Sequence, residues 1–282
     1  MKRMIYMLLA AIVLTVSCQK ETFTSKWKPI SFTATEVAGD IRISCAQATV
    51  SGNSQRWADY TVSGSSVSPK ETGTELRWGN ALHHFYAVFP VSEITDNKVV
   101  ITIPNIQNAG NPLRFMAAVT EAARRPEPVD LTFQPLSTTL EFAVSAADAE
   151  AVVTGFRLAT AGGNALAGGF TAALSAIVAP SVTIDPGTTS QEITIPLNQT
   201  VHGGETLKIT VAALPQDLTD LTAYFMVNGE EKAVPLVDRA GNPLTISACQ
   251  KVTITADGIL DAEGLFTVSI DGQDVNDYDL SN

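Results

Sequence analysis

Tyr224-Phe225-Met226-Val227-Asn228-Gly229-Glu230-Glu231-Lys232-Ala233-Val234 is the stretch that decides the fold. Two β-prone runs flank an Asn-Gly pair, the residues best suited to a type I′ turn, whose two central positions both need positive φ. The reading is a β-hairpin, and the same pattern recurs outward from it. Gly203-Gly204 stands between the runs 193–201 and 207–211 and reads as a second hairpin turn, while Asp257-Gly258 and Asp271-Gly272 punctuate the C-terminal part. Apolar and polar residues alternate at 30–33, 99–103, 131–133, 140–144, 193–195, 207–211 and 252–254, as expected of half-buried antiparallel strands. No long amphipathic helix competes. The best helical candidate, residues 115–124, is rich in Ala and stops at Arg125-Pro126-Glu127-Pro128.

The 282 residues carry 18 Lys plus Arg against 29 Asp plus Glu, a formal charge of −11, and 45% of them are hydrophobic against 17% charged. That composition is globular, and its acidic balance offers no electrostatic footprint for a nucleic-acid backbone. Three His and three Cys are present, none in a C-x-x-C or H-x-x-x-H pair, so neither a metal site built on N or S ligands nor a redox centre is expected, and no cofactor. The weakest patterning in the middle of the chain is the Ala, Asp and Glu stretch 145–151, which marks a boundary near residue 148. Each half has room for about seven strands. The fold class is therefore all-β, with two tandem β-sandwich domains at 29–148 and 149–282.

Lys2 and Arg3 precede an apolar run at 4–16, too short to span a bilayer comfortably and suited to a secretory signal peptide over 1–17. Leu14-Thr15-Val16-Ser17-Cys18 resembles a bacterial lipobox, with Thr15 where Leu is usual, and implies acylation of Cys18. The polar Gln19-Lys20-Glu21 resembles a signal for lipoprotein export to the cell surface. Residues 18–28 then form a tether. Several acyl chains on one residue would hold the protein on the outer membrane.

Leu76-Arg77-Trp78 followed by His84-Phe85-Tyr86-Ala87-Val88-Phe89-Pro90 resembles the core motif of the fimbrillin family, the type V pilins and fimbria-associated lipoproteins of Bacteroidales. The continuation is similar too: Ile103-Pro104-Asn105-Ile106-Gln107 as the P-x-x-Q element, Phe115-Met116-Ala117-Ala118, and the run from Val129 through Gln134, where His is frequent, to Phe142. Near the end, Cys249 stands where the family commonly has Gly. The resemblance implies transthyretin-like sandwiches and a structural, non-enzymatic role. It also implies assembly of pilin subunits by donor-strand exchange, in which an extended segment of one subunit completes the sheet of the next. It makes 30–35 the candidate removable strand and Arg42 the candidate cleavage point. Phe266, Val268 and Ile270, alternating with Thr267 and Ser269, form the candidate donor strand, although the same segment could fold back into its own sheet.

Other residues carry less. His83 and His84 are adjacent on a strand and point to opposite faces, so one surface and one partly buried His are expected. Asp271, Asp274, Asp277 and Asp279 lack the spacing of a calcium loop and read as a solvated tail. No G-x-S-x-G elbow is present, so no enzyme is expected. Cys45 and Cys249 lie in different halves and read as two separate thiols. The leading function is a subunit, anchor or tip component of a cell-surface pilus serving in adhesion to a host or bacterial ligand. The alternative is a non-polymerising surface lipoprotein that binds a glycan or an outer-membrane partner. Trp27, Trp57 and Trp78 read as core or edge residues, which favours the pilus.

Overall fold

The computed structural model describes residues 28–50, 54–122, 128–175, 180–238, 241–261, 267–270 and 273–274. Twelve strands precede residue 136: β1 (Phe32–Thr35), β2 (Gly39–Ser44), β3 (Thr49–Val50), β4 (Trp57–Ser63), β5 (Ser66–Pro69), β6 (Leu76–Arg77), β7 (His83–Phe89), β8 (Ile94–Thr95), β9 (Lys98–Ile103), β10 (Met116–Ala122), β11 (Val129–Thr132) and β12 (Gln134–Pro135). Eleven follow: β13 (Thr138–Ser145), β14 (Ala151–Thr160), β15 (Gly168–Ala173), β16 (Ser181–Ile184), β17 (Glu192–Val201), β18 (Thr206–Ala213), β19 (Leu221–Val227), β20 (Glu230–Pro235), β21 (Lys251–Ala256), β22 (Thr267–Ile270) and β23 (Gln273–Asp274). Among the described residues the helical structure is a single 3-10 turn at Pro186–Thr188, and no helix is long and apolar enough to cross a membrane. The all-β class expected from the alternation is the one observed.

The first eight-stranded sheet runs β11-β1-β5-β4-β2-β7-β10-β12. Beyond it lie sheets ordered β18-β13-β21-β22-β23, β17-β14-β19-β20 and β16-β15-β9-β8, together with the pair β3-β6. Buried side chains fall into two clusters. One is built from Ile30, Phe32, Tyr60, Trp78, Phe85 and neighbours as far as Phe133; the other takes in Leu136, Phe142, Phe156, Phe170, Phe225 and Ile254.

The Asn228-Gly229 hairpin forms as read: β19 and β20 pair from Val227↔Glu230 outward, with φ of 52° and 86° at the two turn residues. Gly203-Gly204 does not make a hairpin. β17 pairs with β14 and β18 with β13, so the Gly pair carries the chain from one sheet to another. A Cβ at Gly203 would stand 3.1 Å from the Asp148 backbone and Gly204 has φ of 80°, so close approach and a left-handed residue, not strand pairing, require the glycines. The Ala-rich helical candidate 115–124 is likewise overturned over its described part. Met116–Ala122 is a strand pairing antiparallel with β7 from Met116↔Phe89 to Ala122↔His83. Propensity is a weak local preference, and two flanking strands outweigh it.

The first cluster runs from Ile30 to Phe133, and the second takes in Val88, Val99, Ile101, Ile103, Phe115 and Ala117 as well as residues from Leu136 onward, so the two overlap in sequence. β13 lies upstream of residue 148, yet it pairs with β18 and β21, and Leu140, Phe142 and Val144 lie in the second cluster. β9 crosses in the same sense by pairing with β15 over Ile103↔Gly168 to Lys98↔Ala173.

β7 and β10 are covered on both faces where residues 87–89 pair with 116–118. Phe85, Ala87, Met116 and Ala118 belong to the first cluster, whereas Val88, Phe115 and Ala117 belong to the second. Alternation along β7 puts Phe85, Ala87 and Phe89 on one face and Tyr86 and Val88 on the other. Phe85 and Ala87 are fully buried, Phe89 is half-buried, and Val88 on the opposite face is 1% exposed because the second core lies against it. Phe85→Ala should cost about 3–5 kcal/mol and Phe89→Ala about half as much, measured by urea denaturation; equal losses would contradict this packing.

Candidate functional site

The N-terminal strand lies inside the first sheet, parallel to β11 on one side (Phe32↔Val129 to Thr35↔Thr132) and antiparallel to β5 on the other. Before it, the Ile30 N–H donates to the Leu76 carbonyl at 2.9 Å and the Trp78 N–H to the Lys28 carbonyl at 3.1 Å. Ile30, Phe32 and Ala34 point inward and are buried. Phe32 makes edge contacts with Tyr60 and Phe85, both at 5.3 Å between ring centroids, and Phe85 continues to Trp78 at 5.9 Å. The Tyr60 hydroxyl accepts from the Leu76 N–H at 2.8 Å, and burial pushes its pKa up. On the outer face Thr33 donates to the Asp130 carboxylate, and Thr120 donates to the Asp130 carbonyl at 2.7 Å, linking β10 to β11. The seat of residues 30–35 is a slot whose sockets accept a large, a larger and a small side chain in turn.

Arg42 sits within β2, with β4 and β7 bonded on either side. Its guanidinium makes a two-pronged contact with Asp59, Nε to Oδ1 at 2.7 Å and Nη2 to Oδ2 at 2.9 Å, and lies 3.7 Å over the Trp57 ring. The side chain is 16% exposed. Asp40 on the same strand is held below the ordinary carboxylate range by hydrogen bonds from Lys70 and Thr61. The link between β1 and β2 is Glu36-Val37-Ala38, with no Lys or Arg.

At the other terminus, β22 pairs antiparallel with β21 from Val252↔Ile270 to Thr255↔Thr267, and β23 folds back on it. Val268 and Ile270 therefore lie on a strand of their own sheet. Phe266, Cys18, Trp27, Asp271, Asp277 and Asp279 lie outside the described residues, and Asp274 ends β23. The chain reaches β22 by way of Asp261, whose carboxylate accepts from three successive backbone N–H groups: Ala147 at 2.7 Å, Asp148 at 3.1 Å and Ala149 at 2.9 Å. These bonds, Ala147 foremost, lower its pKa to about 2. Such a cluster of backbone donors is a ready anion site. Here the chain's own carboxylate fills it.

His83 is fully buried, its Nε2 accepting from the Gly79 N–H at 3.0 Å, while His84 points the other way with Nδ1 3.4 Å from Glu121. The opposite-face reading stands. Cys45 and Cys249 are separate free thiols, and burial pushes Cys45 up to about 11. Cys249 has φ of 59°, the left-handed region where glycine is at ease, which gives a physical reason for Gly at that place in the resembling family. No group of His, Cys, Asp or Glu among the described residues could hold a metal ion.

Gln107 closes the P-x-x-Q element. Its side chain is 4% exposed; Nε2 donates to the Ala212 carbonyl at 2.7 Å and to the Pro104 carbonyl at 3.2 Å, and Oε1 accepts from the Ala212 N–H at 3.0 Å. Its backbone N–H donates to Thr194 on β17 at 2.9 Å, so one residue ties two sheets of the second core.

No protein-family model matches the chain, and no curated protein matches it in sequence. Crystal structures do. A proposed cell adhesion protein from Bacteroides uniformis ATCC 8492 is similar with a TM-score of 0.57 at 19% identity, covering 86% of this chain and 96% of that one. One from Bacteroides ovatus ATCC 8483 gives 0.55 at 13%, covering 86% and 96%, and one from Bacteroides fragilis NCTC 9343 gives 0.50 at 11%, covering 86% and 97%. These likenesses define the class by fold: an all-β architecture shared over nearly the full length of each relative. They agree with the fold that the fimbrillin resemblance implies.

The depressed pKa of Asp261 carries a sign. Its stabilisation is fully present above the unfolded value near 4 and is lost as pH falls through about 2. Asp261→Asn should remove that part of the acid dependence of urea stability between about pH 4 and 2 and leave the dependence near neutrality unchanged. An unaltered acid limb would contradict the role of these three hydrogen bonds.

Proposed function

We propose that the chain is a surface-anchored adhesion protein of the fimbrial class, acting as a terminal or anchoring subunit and not as an enzyme. The observation that carries this is the fold shared over 86% of the chain with the proposed cell adhesion proteins of Bacteroides. Cys18 is the lipid attachment point, and the membrane partner is the outer membrane. Other pilin subunits are the protein partners.

The terminal role is supported at both ends of the chain. β1 fills its slot between β11 and β5 in cis, and β22 is paired in cis with β21. A protease that cuts after Arg needs an extended, unpaired backbone in its cleft, whereas Arg42 is laddered on both sides and engaged by Asp59 and Trp57. The strand is thus retained, and the slot stays closed to an incoming donor. Adhesion with both strands kept at home also suits a subunit that works alone on the surface.

The test uses the mature protein. Digestion under native conditions with an Arg-specific protease should leave the bond after Arg42 intact, and unboiled gels should show no ladder. A new N-terminus at Ile43 accompanied by a ladder would overturn the terminal role and make the chain a processed stalk subunit. In cells, Cys18→Ala should move the protein from the membrane fraction to the soluble fraction.

A further inference from the structure

The chain enters the body at Lys28. Pro29 bridges antiparallel to Arg77, and the Trp78 N–H donates to the Lys28 carbonyl at 3.1 Å, so residues 30 back to 28 run alongside 76 to 78. The chain before Lys28 therefore joins the body at the end where β6 gives way to the loop 79–82 and β7 begins. That loop is closed at its base by the Gly79 N–H, which donates to His83 Nε2 at 3.0 Å, and by the Trp78 and His83 rings, 4.8 Å apart. Its tip, Asn80-Ala81-Leu82, is exposed, and Leu82 at 41% is one of three exposed large hydrophobic residues among the described residues. β2 ends and β4 starts at this same end, since Ser44 pairs with both Trp57 and Tyr86, and Arg56, just before Trp57, is exposed, as is Lys28. Glu75 is held by Arg77, and Glu121 lies 3.4 Å from His84.

The second core lies toward the other end of the same strands. It takes in Val88, Phe115 and Ala117, whereas His84 and Glu121, near the start of β7 and the end of β10, lie outside it. Charge divides in the same direction: residues 28–135 carry 9 Lys and Arg against 10 Asp and Glu, and residues 136–282 carry 5 against 18. We propose that the tip 80–82, with Lys28 and Arg56 at the same end, is a membrane-facing surface whose partner is a lipid surface bearing anionic headgroups. Given the lipid at Cys18 proposed above, the ten residues from the anchor to Lys28 span at most about 35 Å, so this is the end held within reach of the bilayer. Anionic headgroups attract Lys28 and Arg56, and Leu82 places an apolar side chain at the interface. The acidic half is repelled once it comes within a Debye length of that surface, about 8 Å at physiological salt, so the molecule stands on its tether end with the second core outward. One leucine and two cations do not hold a protein on a membrane. The lipid does that, and they choose the end that faces it.

The test uses the mature chain 18–282 with a diacyl lipid ligated chemically to Cys18, on vesicles of phosphatidylcholine with or without phosphatidylglycerol. A photoactivatable benzophenone side chain replaces Leu82 or, as a control, Val100, which is 72% exposed on β9, a strand that contributes to the second core. Irradiation should give lipid adducts at position 82 and none at position 100. Lys28→Glu with Arg56→Glu, both at exposed positions, should lower the yield at 82 on vesicles with phosphatidylglycerol and leave it unchanged on phosphatidylcholine alone. Adducts at 82 and 100 alike, at 100 alone or at neither, from protein that floats with the vesicles, would overturn the proposal. A yield on the anionic vesicles that the charge reversals do not change would overturn it too. Because the anchor is supplied chemically, these results do not depend on acylation in cells, which the Cys18→Ala fractionation tests separately.

Discussion

Two neighbouring strands, β7 and β10, are covered on both faces where Ala87, Val88 and Phe89 pair with Ala118, Ala117 and Met116. Phe85, Ala87, Met116 and Ala118 close the first core from one side, and Val88, Phe115 and Ala117 meet the second core from the other. This wall sets the rest of the arrangement. A wall covered on both faces must be thin, which accounts for Ala at 87, 117 and 118, and it must be apolar throughout, which accounts for the unbroken run from Phe85 to Phe89. It also couples the ends of the chain. Phe32 of the N-terminal strand rests on Phe85, and the strand that carries Phe85 bears on the core that contains β21, the partner of β22.

The two terminal strands are held by different physics. β1 is held by burial of Ile30, Phe32 and Ala34 among aromatic rings and by ladders on both sides, interactions insensitive to salt and pH in the neutral range. β22 has a ladder to β21 and a carboxylate anchor just before it at Asp261, where one side chain satisfies three backbone donors. The anchor fixes the point at which the C-terminal segment leaves the body. Among the described residues, β1 and β22 are thus both paired within the chain.

Local signals in the sequence were legible and long-range ones were not. Asn228-Gly229 could be read because a type I′ turn is decided by its own two residues. Gly203-Gly204 has equally strong turn chemistry, but nothing in it tells whether the flanking strands pair with each other or go to different sheets, and they go to different sheets. The Ala-rich stretch after Phe115 has helical propensity, and its strand conformation comes from pairing with β7, from Met116↔Phe89 to Ala122↔His83. The boundary near residue 148 followed composition, whereas β13 belongs to the second core through partners at 206–213 and 251–256. Gln107 is the clearest case. Its spacing from Pro104 was visible, but its use depends on Ala212, 105 residues away. Arg42 is a cleavage candidate only through the family resemblance, and its pairing with Asp59 and its stacking on Trp57 are visible only in the folded sheet.

Scanning calorimetry of the mature protein tests the two-faced wall most directly. If β7 and β10 belong to both cores at once, neither core can melt without exposing the other, and heating should give one transition whose calorimetric and van't Hoff enthalpies agree. Two resolved transitions, each with the enthalpy of about half the chain, would mean that the cores unfold independently and that the shared strands do not couple them.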